Sequence, residues 1–506
     1  MNQPRCGGRL RLRGDQELPE PVAAHRHPMA AVTRLCARQL FTYRGDAVPG
    51  SWQAVAPVPD LAVAVPSIYN AGVGASYTSY VIHLRPDVYW DTDPVRAVTA
   101  HDVVRGVKRM CTPFCRPTAL PYFTSTIRGL AEYLAGHPAT PADLAEYANS
   151  HEISGVFALD DQTLVVELLR PALDLVDILA QPCASPVPAE YDAFLPDSAE
   201  ARRNQRSTGP YRPVIRTGAL VLEHNPAWRA ESDPIRKRYV DSITVSRDGD
   251  VDLELLPSTR ATGHPGLGLD PYLALNTRGP GPLRAKKTRR AVANAINRDA
   301  RTIVPPGNDG HQQPPAPADP APLTEAGITL TVVHPPSGAA AAQAIAADLA
   351  KIDITVHFRP LADDVYARVL TDRAMAEAGE WDVLVGAWYP DWSHGNGRAF
   401  LLPLCHSGSV TNPGGHTDPR VDDLIDEAMA SPDEPGRAGI ALREAERRVL
   451  ADAAVVPVSF RPPRVPAPRH DGVHGVGVLS ALGGLVDLSA VWLSPTPERE
   501  SLEVRT

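Results

Sequence analysis

Residues 328–358 read ITLTVVHPPSGAAAAQAIAADLAKIDITVHF. Ile328 to Val333 is a β-branched, apolar run that predicts a strand. Gly338 to Lys351 is rich in Ala, the strongest helix former, and places Ile345 and Leu349 on one buried face. Ile352, Ile354, Val356 and Phe358 then alternate as a second strand. Strand, helix and strand in this order make a βαβ unit, which implies parallel strands joined by a crossover. A helix around 365–370 leads to Asp382-Val383-Leu384-Val385-Gly386, a buried strand with Gly at its exit and a third member of the same sheet. The chain is therefore expected to be α/β.

Sheets of this kind collect ligands outside the carboxyl ends of their strands. The residues there are Ala387-Trp388-Tyr389-Pro390-Asp391-Trp392. Three aromatics around the single acid of the turn can build an apolar pocket with one fixed negative charge. Such a pocket suits a cationic amine carried on an apolar or peptide-like body. The competing reading is an aromatic loop packed on the core, with Asp391 capping the next turn.

Outward from this segment, Asp418-Pro419 has the N-cap and first-turn pair of a helix carrying Val421, Leu424 and Ile425. A buried strand from Val455 to Phe460 follows. Upstream, Gly8 to Leu12 predicts a strand, and Val32, Leu35, Cys36 and Leu40 predict a helical face. Thr99-Ala100-His101-Asp102 predicts a helix start running to Met110. Ile153 to Leu169 predicts a hairpin turning at Asp160-Asp161-Gln162. Ser207-Thr208-Gly209-Pro210-Tyr211 opens another, and Tyr239 to Val245 and the helix Arg289 to Ile296 follow. Pro305 to Pro322 has no apolar periodicity and is expected to be a solvated loop.

The 506 residues are too many for one core, so two or three domains are expected. The net charge of −9 is spread along the chain, which argues against nucleic acid as a partner. No stretch approaches the ~20 apolar residues of a membrane span. The opening MNQPRCGGRLRL has no apolar core and no cleavage site, so no signal peptide is expected. Six scattered cysteines do not make a disulfide framework. Cys111 and Cys115 could bridge, bind metal or stand as free thiols, the last being the expectation. No enzyme signature is present: no GxSxG, HExxH, P-loop or GxGxxG after a strand. No catalytic residue, metal or cofactor is expected.

Several stretches together resemble the family 5 solute-binding proteins, the oligopeptide- and dipeptide-binding receptors of ABC importers. Leu84-Arg85-Pro86-Asp87-Val88-Tyr89-Trp90 with Pro94-Val95 and Thr99-Ala100-His101-Asp102-Val103 resembles LRxGVxWxDGxPVTAxDV. Ser207 to Tyr211 and Leu222-Glu223-His224-Asn225-Pro226 resemble GTGPY and LxRNP. Leu273-Ala274-Leu275-Asn276-Thr277 is similar to LAFNT, and Gly386 to Trp392 to GWxxDYxDP.

The resemblance implies a bilobed, periplasmic-binding-protein-like fold of type II that closes on its ligand by a hinge. Lobe I would comprise 1–46, 155–272 and 464–506, a small inserted third domain 47–154, and lobe II 273–463. It implies a monomeric receptor, not an enzyme, that captures a small peptide or another amine-bearing solute outside the cytoplasm and delivers it to an ABC transporter permease. Asp391 would pair with the ligand ammonium, Trp388, Tyr389 and Trp392 would wall it, and the backbone of Gly386, Ala387 and Trp388 would hydrogen-bond an extended peptide. Tyr122 would close over the ligand from the inserted domain, and His27 would face it from lobe I. Val385 stands where some relatives carry an Arg, Trp392 replaces the family Tyr, and His394-Gly395 replaces its DP. The second reading is a cytoplasmic sensor or biosynthetic enzyme on the same scaffold.

Overall fold

The computed structural model describes the chain except residues 1–2, 26, 49–50, 139, 217–218, 256–260, 264–266, 314–326, 393–396, 429, 431–435, 463 and 495–506. The chain divides into two compact units, Met1–Pro265 with Arg464–Thr506, and Gly266–Pro463. Among the described residues no helix is long and apolar enough to cross a membrane. None of the six cysteines is in a disulfide.

In the first unit, strand Arg9–Arg13 alternates between buried Leu10 and Leu12 and outward-facing arginines. It sits between Leu253–Glu254 and Ser242–Ser246, parallel to both, and Ala219–His224 and Tyr211–Arg216 complete a five-stranded sheet. Helix Ala30–Cys36 packs Val32 and Leu35 into the same core as Leu220, Leu222, Ile243 and Val245. The expected hairpin forms as Val156–Asp160 and Thr163–Glu167, with Ser79–His83 as third strand. Helix Ala100–Met110 starts on a capping box, Thr99 with Asp102. Asp102 also accepts from Trp90 Nε1 at 3.0 Å and from both terminal nitrogens of Arg96 at 2.9 Å.

An ionic cluster with almost no exposure holds this unit together. Asp60 and Arg38 are 0% exposed and Arg236 1%. Arg38 Nε donates to Asp60 Oδ1 at 2.8 Å, and Arg236 Nη2 to Asp60 Oδ2 at 2.9 Å. The Gln39 N–H adds a bond at 3.1 Å. Burial alone would push the Asp60 carboxyl up. The charges of Arg236 and Arg38 outweigh it and hold the group well below the usual carboxylate range.

The second unit is built on a six-stranded sheet. Its order is Thr355–Pro360, Thr329–His334, Val383–Trp388, Gly268–Leu275 and Val455–Pro457, with Phe460–Arg461 also on Gly268–Leu275. The βαβ expectation holds: Thr329–His334 is parallel to Thr355–Pro360 and to Val383–Trp388, and helix Ala339–Ala350 lies between the first two in sequence. Ile345 and Leu349 pack with Leu330, Val332, Val383 and Val385 in one core. Thr355–Pro360 is the sheet edge, and most of its side chains are exposed. Helix Pro419–Glu427 starts on Asp418, which accepts from the Arg420 N–H.

The Pro-rich run departs from expectation only in part where it is described. It is a loop with Pro306, Gly307 and Asp309 exposed, as expected, but Pro305 and Gly310 are buried and Gln312 is tied down. Gln312 Nε2 donates to Glu446 Oε2, and the preceding Ile303 and Val304 N–H groups donate to Glu446 Oε1 at 2.6 and 2.8 Å. A buried carboxylate on helix Arg437–Asp452 thus fixes a segment whose composition gave no sign of it. Residues 314–322 lie outside the described residues.

Replacing Asp60 by Asn should lower unfolding stability by about 3–5 kcal/mol, read from urea denaturation, because two buried guanidiniums lose their nearest counter-charge and keep only Asp233, at 3.9 and 3.5 Å. A carboxyl held below its unfolded value stabilises above that value, about pH 4, and the contribution fades as pH falls further. Stability of the unaltered protein should therefore drop more steeply below pH 4 than that of Asp60→Asn.

Candidate ligand-binding site

Strand Val383–Trp388 lies between two neighbours of different reach. It pairs with Thr329–His334 only at Val332↔Val383 and Val333↔Leu384. With Gly268–Leu275 it pairs from Val383 to Trp388, across an irregularity between Leu269 and Tyr272. That register sets His334, the last residue of the parallel partner, opposite Val385, so residues 386–388 run past its end. The Asn276 N–H donates to Asp382 O at 2.9 Å, which fixes the side that even-numbered residues face. Main-chain direction alternates along a strand. Gly386 and Trp388 thus turn their polar groups towards Gly268–Leu275, Val385 turns its groups towards the end of Thr329–His334, and Ala387 turns its groups to the open edge.

The Val385 carbonyl has a side-chain partner. Tyr366, on helix Asp363–Thr371, donates its hydroxyl to Val385 O at 2.9 Å. Burial pushes the Tyr366 hydroxyl well above its ordinary value, with Tyr272 adding to the shift, so it stays a neutral donor. Both rings press on Gly386. A Cβ there would stand 2.8 Å from Tyr272 Cε1 and 3.0 Å from Tyr366 Oη, so glycine is needed for the close approach.

Trp388 is the last strand residue, although the strand was expected to end at Gly386. The register with Gly268–Leu275 carries it two residues further, through Leu269↔Trp388. Its ring is buried, and Nε1 donates to Ala399 O at 2.9 Å, tying the strand end to helix Arg398–Cys405. Tyr389 donates its hydroxyl to Asp270 Oδ2 at 3.0 Å and lays its ring over Gly268, where a Cβ would collide with it. Burial first, and then the Asp270 charge, push the Tyr389 hydroxyl up. Asp391 is 4% exposed and Trp392 1%, a carboxylate and an indole both withdrawn from water. Ala387 is exposed.

Six of the expected residues thus lie within seven positions of the second unit: Gly386, Ala387, Trp388, Tyr389, Asp391 and Trp392. The other two belong to the first unit. Tyr122, in helix Leu120–Thr124, is fully buried. His27 is half-buried, and its Nδ1 accepts the Met29 N–H at 3.1 Å. Burial pulls its pKa down, which favours the neutral ring. His394 and Gly395 lie outside the described residues. Sequence reasoning missed Tyr366, Tyr272 and Asp270. Its one available signal was Gly386, a glycine inside an apolar strand, which marks a close backbone or ring approach.

A chain that builds one α/β unit, crosses near residue 265 into a second, and returns near residue 464 has a periplasmic-binding-protein-like architecture. The chain belongs to the bacterial extracellular solute-binding proteins, family 5, the description matched by residues 56–321. It is similar to the periplasmic oligopeptide-binding protein OppA of Escherichia coli (strain K12), with 26% identity over 437 residues, 75% of this chain and 76% of that protein. It is also similar to Di/tripeptide-binding protein 4 of Pseudomonas aeruginosa (strain UCBPP-PA14), with 28% identity over 388 residues, 65% of this chain and 68% of the other. Among solved structures, the clavulanic acid biosynthesis oligopeptide binding protein 2 shares the fold, with a TM-score of 0.74 at 23% identity, covering 97% and 96% of the two chains.

Gly386→Ala should reduce stability by about 1–3 kcal/mol, the cost of overpacking a filled site. Chemical denaturation measures it, and unchanged stability would mean that Tyr272 and Tyr366 do not press on this position.

Proposed function

We propose that this protein is a receptor for a short peptide or another solute bearing a primary amine, with no chemistry of its own. Asp391 is the anchor for the ligand ammonium, and Trp388, Tyr389 and Trp392 form its apolar surround. The observation that carries this reading is the 4% exposure of the Asp391 carboxylate, next to the open-edged end of a strand. A desolvated ammonium requires a fixed anionic partner, and the pair is strong only where water is excluded. The exposed Ala387, with main-chain groups on the open edge, supports a ligand backbone lying alongside as an added strand. The oligopeptide- and di/tripeptide-binding names of the two curated relatives favour a peptide.

In this reading the two units are lobes that close on the ligand by a hinge, with 47–154 as a small inserted domain and Tyr122 and His27 on the lobe I side. The receptor acts as a monomer outside the cytoplasm and hands its solute to an ABC transporter permease.

Asp391→Asn should weaken binding of di- to pentapeptides by a hundredfold or more in calorimetry, in line with about 3–5 kcal/mol for breaking a buried charge pair. N-acetylated versions of the same peptides should bind the unaltered protein weakly and respond little to the substitution. Equal affinity of both proteins for free-amine peptides would remove Asp391 from the site.

A further inference from the structure

A cavity of about 190 Å³ lies in the first unit, and none of the residues placed in the binding site above lines it. One wall is helix Ala100–Met110 with the turn that follows. It presents Arg105, Lys108, Arg109 and Thr112, at the i, i+3, i+4 and i+7 spacing of a single face. Helix Leu144–Ser150 and the segment from Asp192 to Pro196 contribute further walls.

The three cations are already matched. Arg105 pairs with Asp192, Lys108 with Glu152 at 3.0 Å, and Arg109 with both oxygens of Glu20 at 2.7 and 2.8 Å. They also tie the walls together: Lys108 Nζ donates to Ala148 O at 2.8 Å, and Arg109 Nη1 to Tyr191 O at 3.2 Å. An anion would therefore find no uncompensated charge here. Ala145, Phe194 and Leu195 give the surround an apolar character. Burial pulls the pKa of His137, another lining residue, down and favours a neutral ring.

Thr112 differs from its neighbours. It is 5% exposed, and among the described residues its hydroxyl has no hydrogen-bond partner. A buried hydroxyl in that state carries an uncompensated desolvation cost. A ligand that hydrogen-bonds to it recovers that cost, and the apolar walls receive the rest of the molecule. An apolar cavity of about 150 Å³ holds benzene. This one has room for a six-membered ring with a substituent.

We infer that the cavity is a separate ligand site, for a small neutral molecule with an apolar ring and one hydroxyl that pairs with Thr112. The cations act as struts that hold its walls, and the threonine supplies the recognition.

The test is a fluorine NMR titration of 4-fluorophenol, fluorobenzene and 4-fluorobenzoate on the unaltered protein, Thr112→Val and Ala145→Phe. Thermal denaturation of each variant checks that it is folded. On the unaltered protein 4-fluorophenol should bind about threefold to tenfold more tightly than fluorobenzene, the range of one net hydrogen bond. The anionic 4-fluorobenzoate should bind more weakly than either. Thr112→Val keeps the shape and removes the hydroxyl, so 4-fluorophenol should fall to the affinity of fluorobenzene. Ala145→Phe should fill the cavity and abolish binding of both; if that variant does not fold, Thr112→Val decides alone. The inference falls if 4-fluorophenol does not bind, binds no more tightly than fluorobenzene, or is indifferent to Thr112→Val. Tightest binding by 4-fluorobenzoate would also overturn it, because the cations would then be the recognising groups.

Discussion

A carboxylate that water does not reach must find its compensation within the protein, and Asp60 finds it in two guanidiniums. The requirement binds together stretches far apart in sequence. Arg38 reaches Asp60 and also the Ser232 carbonyl, at 2.9 Å. Arg236 reaches Asp60 and, through Nε, the Arg34 carbonyl at 2.6 Å. The Arg38 N–H donates to Thr208 Oγ1 at 2.9 Å. The helix end, the turn at Ser207–Gly209 and the loop before Ser242–Ser246 are therefore fixed to one charge cluster. No partner can leave without stranding another in a medium that cannot solvate it.

The same logic explains why so much of the fold was legible. The stretches that carried the resemblance settle main-chain polar groups and close packing. Asn276 donates to Ala376 O and Trp381 O at 2.8 Å and accepts the Arg278 and Gly279 N–H groups at 3.0 Å. Gly209 lies against Leu35 O, where a Cβ would collide, and Asn225 donates to its carbonyl at 2.9 Å. Asp102 joins a helix cap to a buried indole and an arginine. Residues that a backbone demands leave a pattern whatever the ligand. Landmarks of this kind report the scaffold and say little about what it holds.

The binding end of the strand was less legible, because its contacts are distant in sequence. Tyr366 and Val385 are 19 positions apart, and Tyr389 and Asp270 are 119. The aromatic cluster itself was visible, yet nothing in it revealed that Trp388 closes a strand or that Tyr389 braces the neighbouring one. Boundaries slipped for related reasons. The strand expected from Tyr239 begins at Ser242, since Tyr239 O accepts the Gly7 N–H and Val240 O the Tyr211 hydroxyl, outside the ladder. Residues 305–312 read as solvated by composition, and three of them are exposed, but nothing local announced that Glu446 would anchor Gln312.

The border strand Thr355–Pro360 carries a further implication. It terminates the larger sheet with Phe358 40% exposed, a surface on which another chain could dock and begin a growing stack. His357, Arg359 and Pro360 sit along it: a polar ring, a permanent positive charge, and a residue with no amide hydrogen to offer. Together they make self-association costly at the margin where the fold is least protected, so a crowded solution of this protein can stay dispersed without covering that margin.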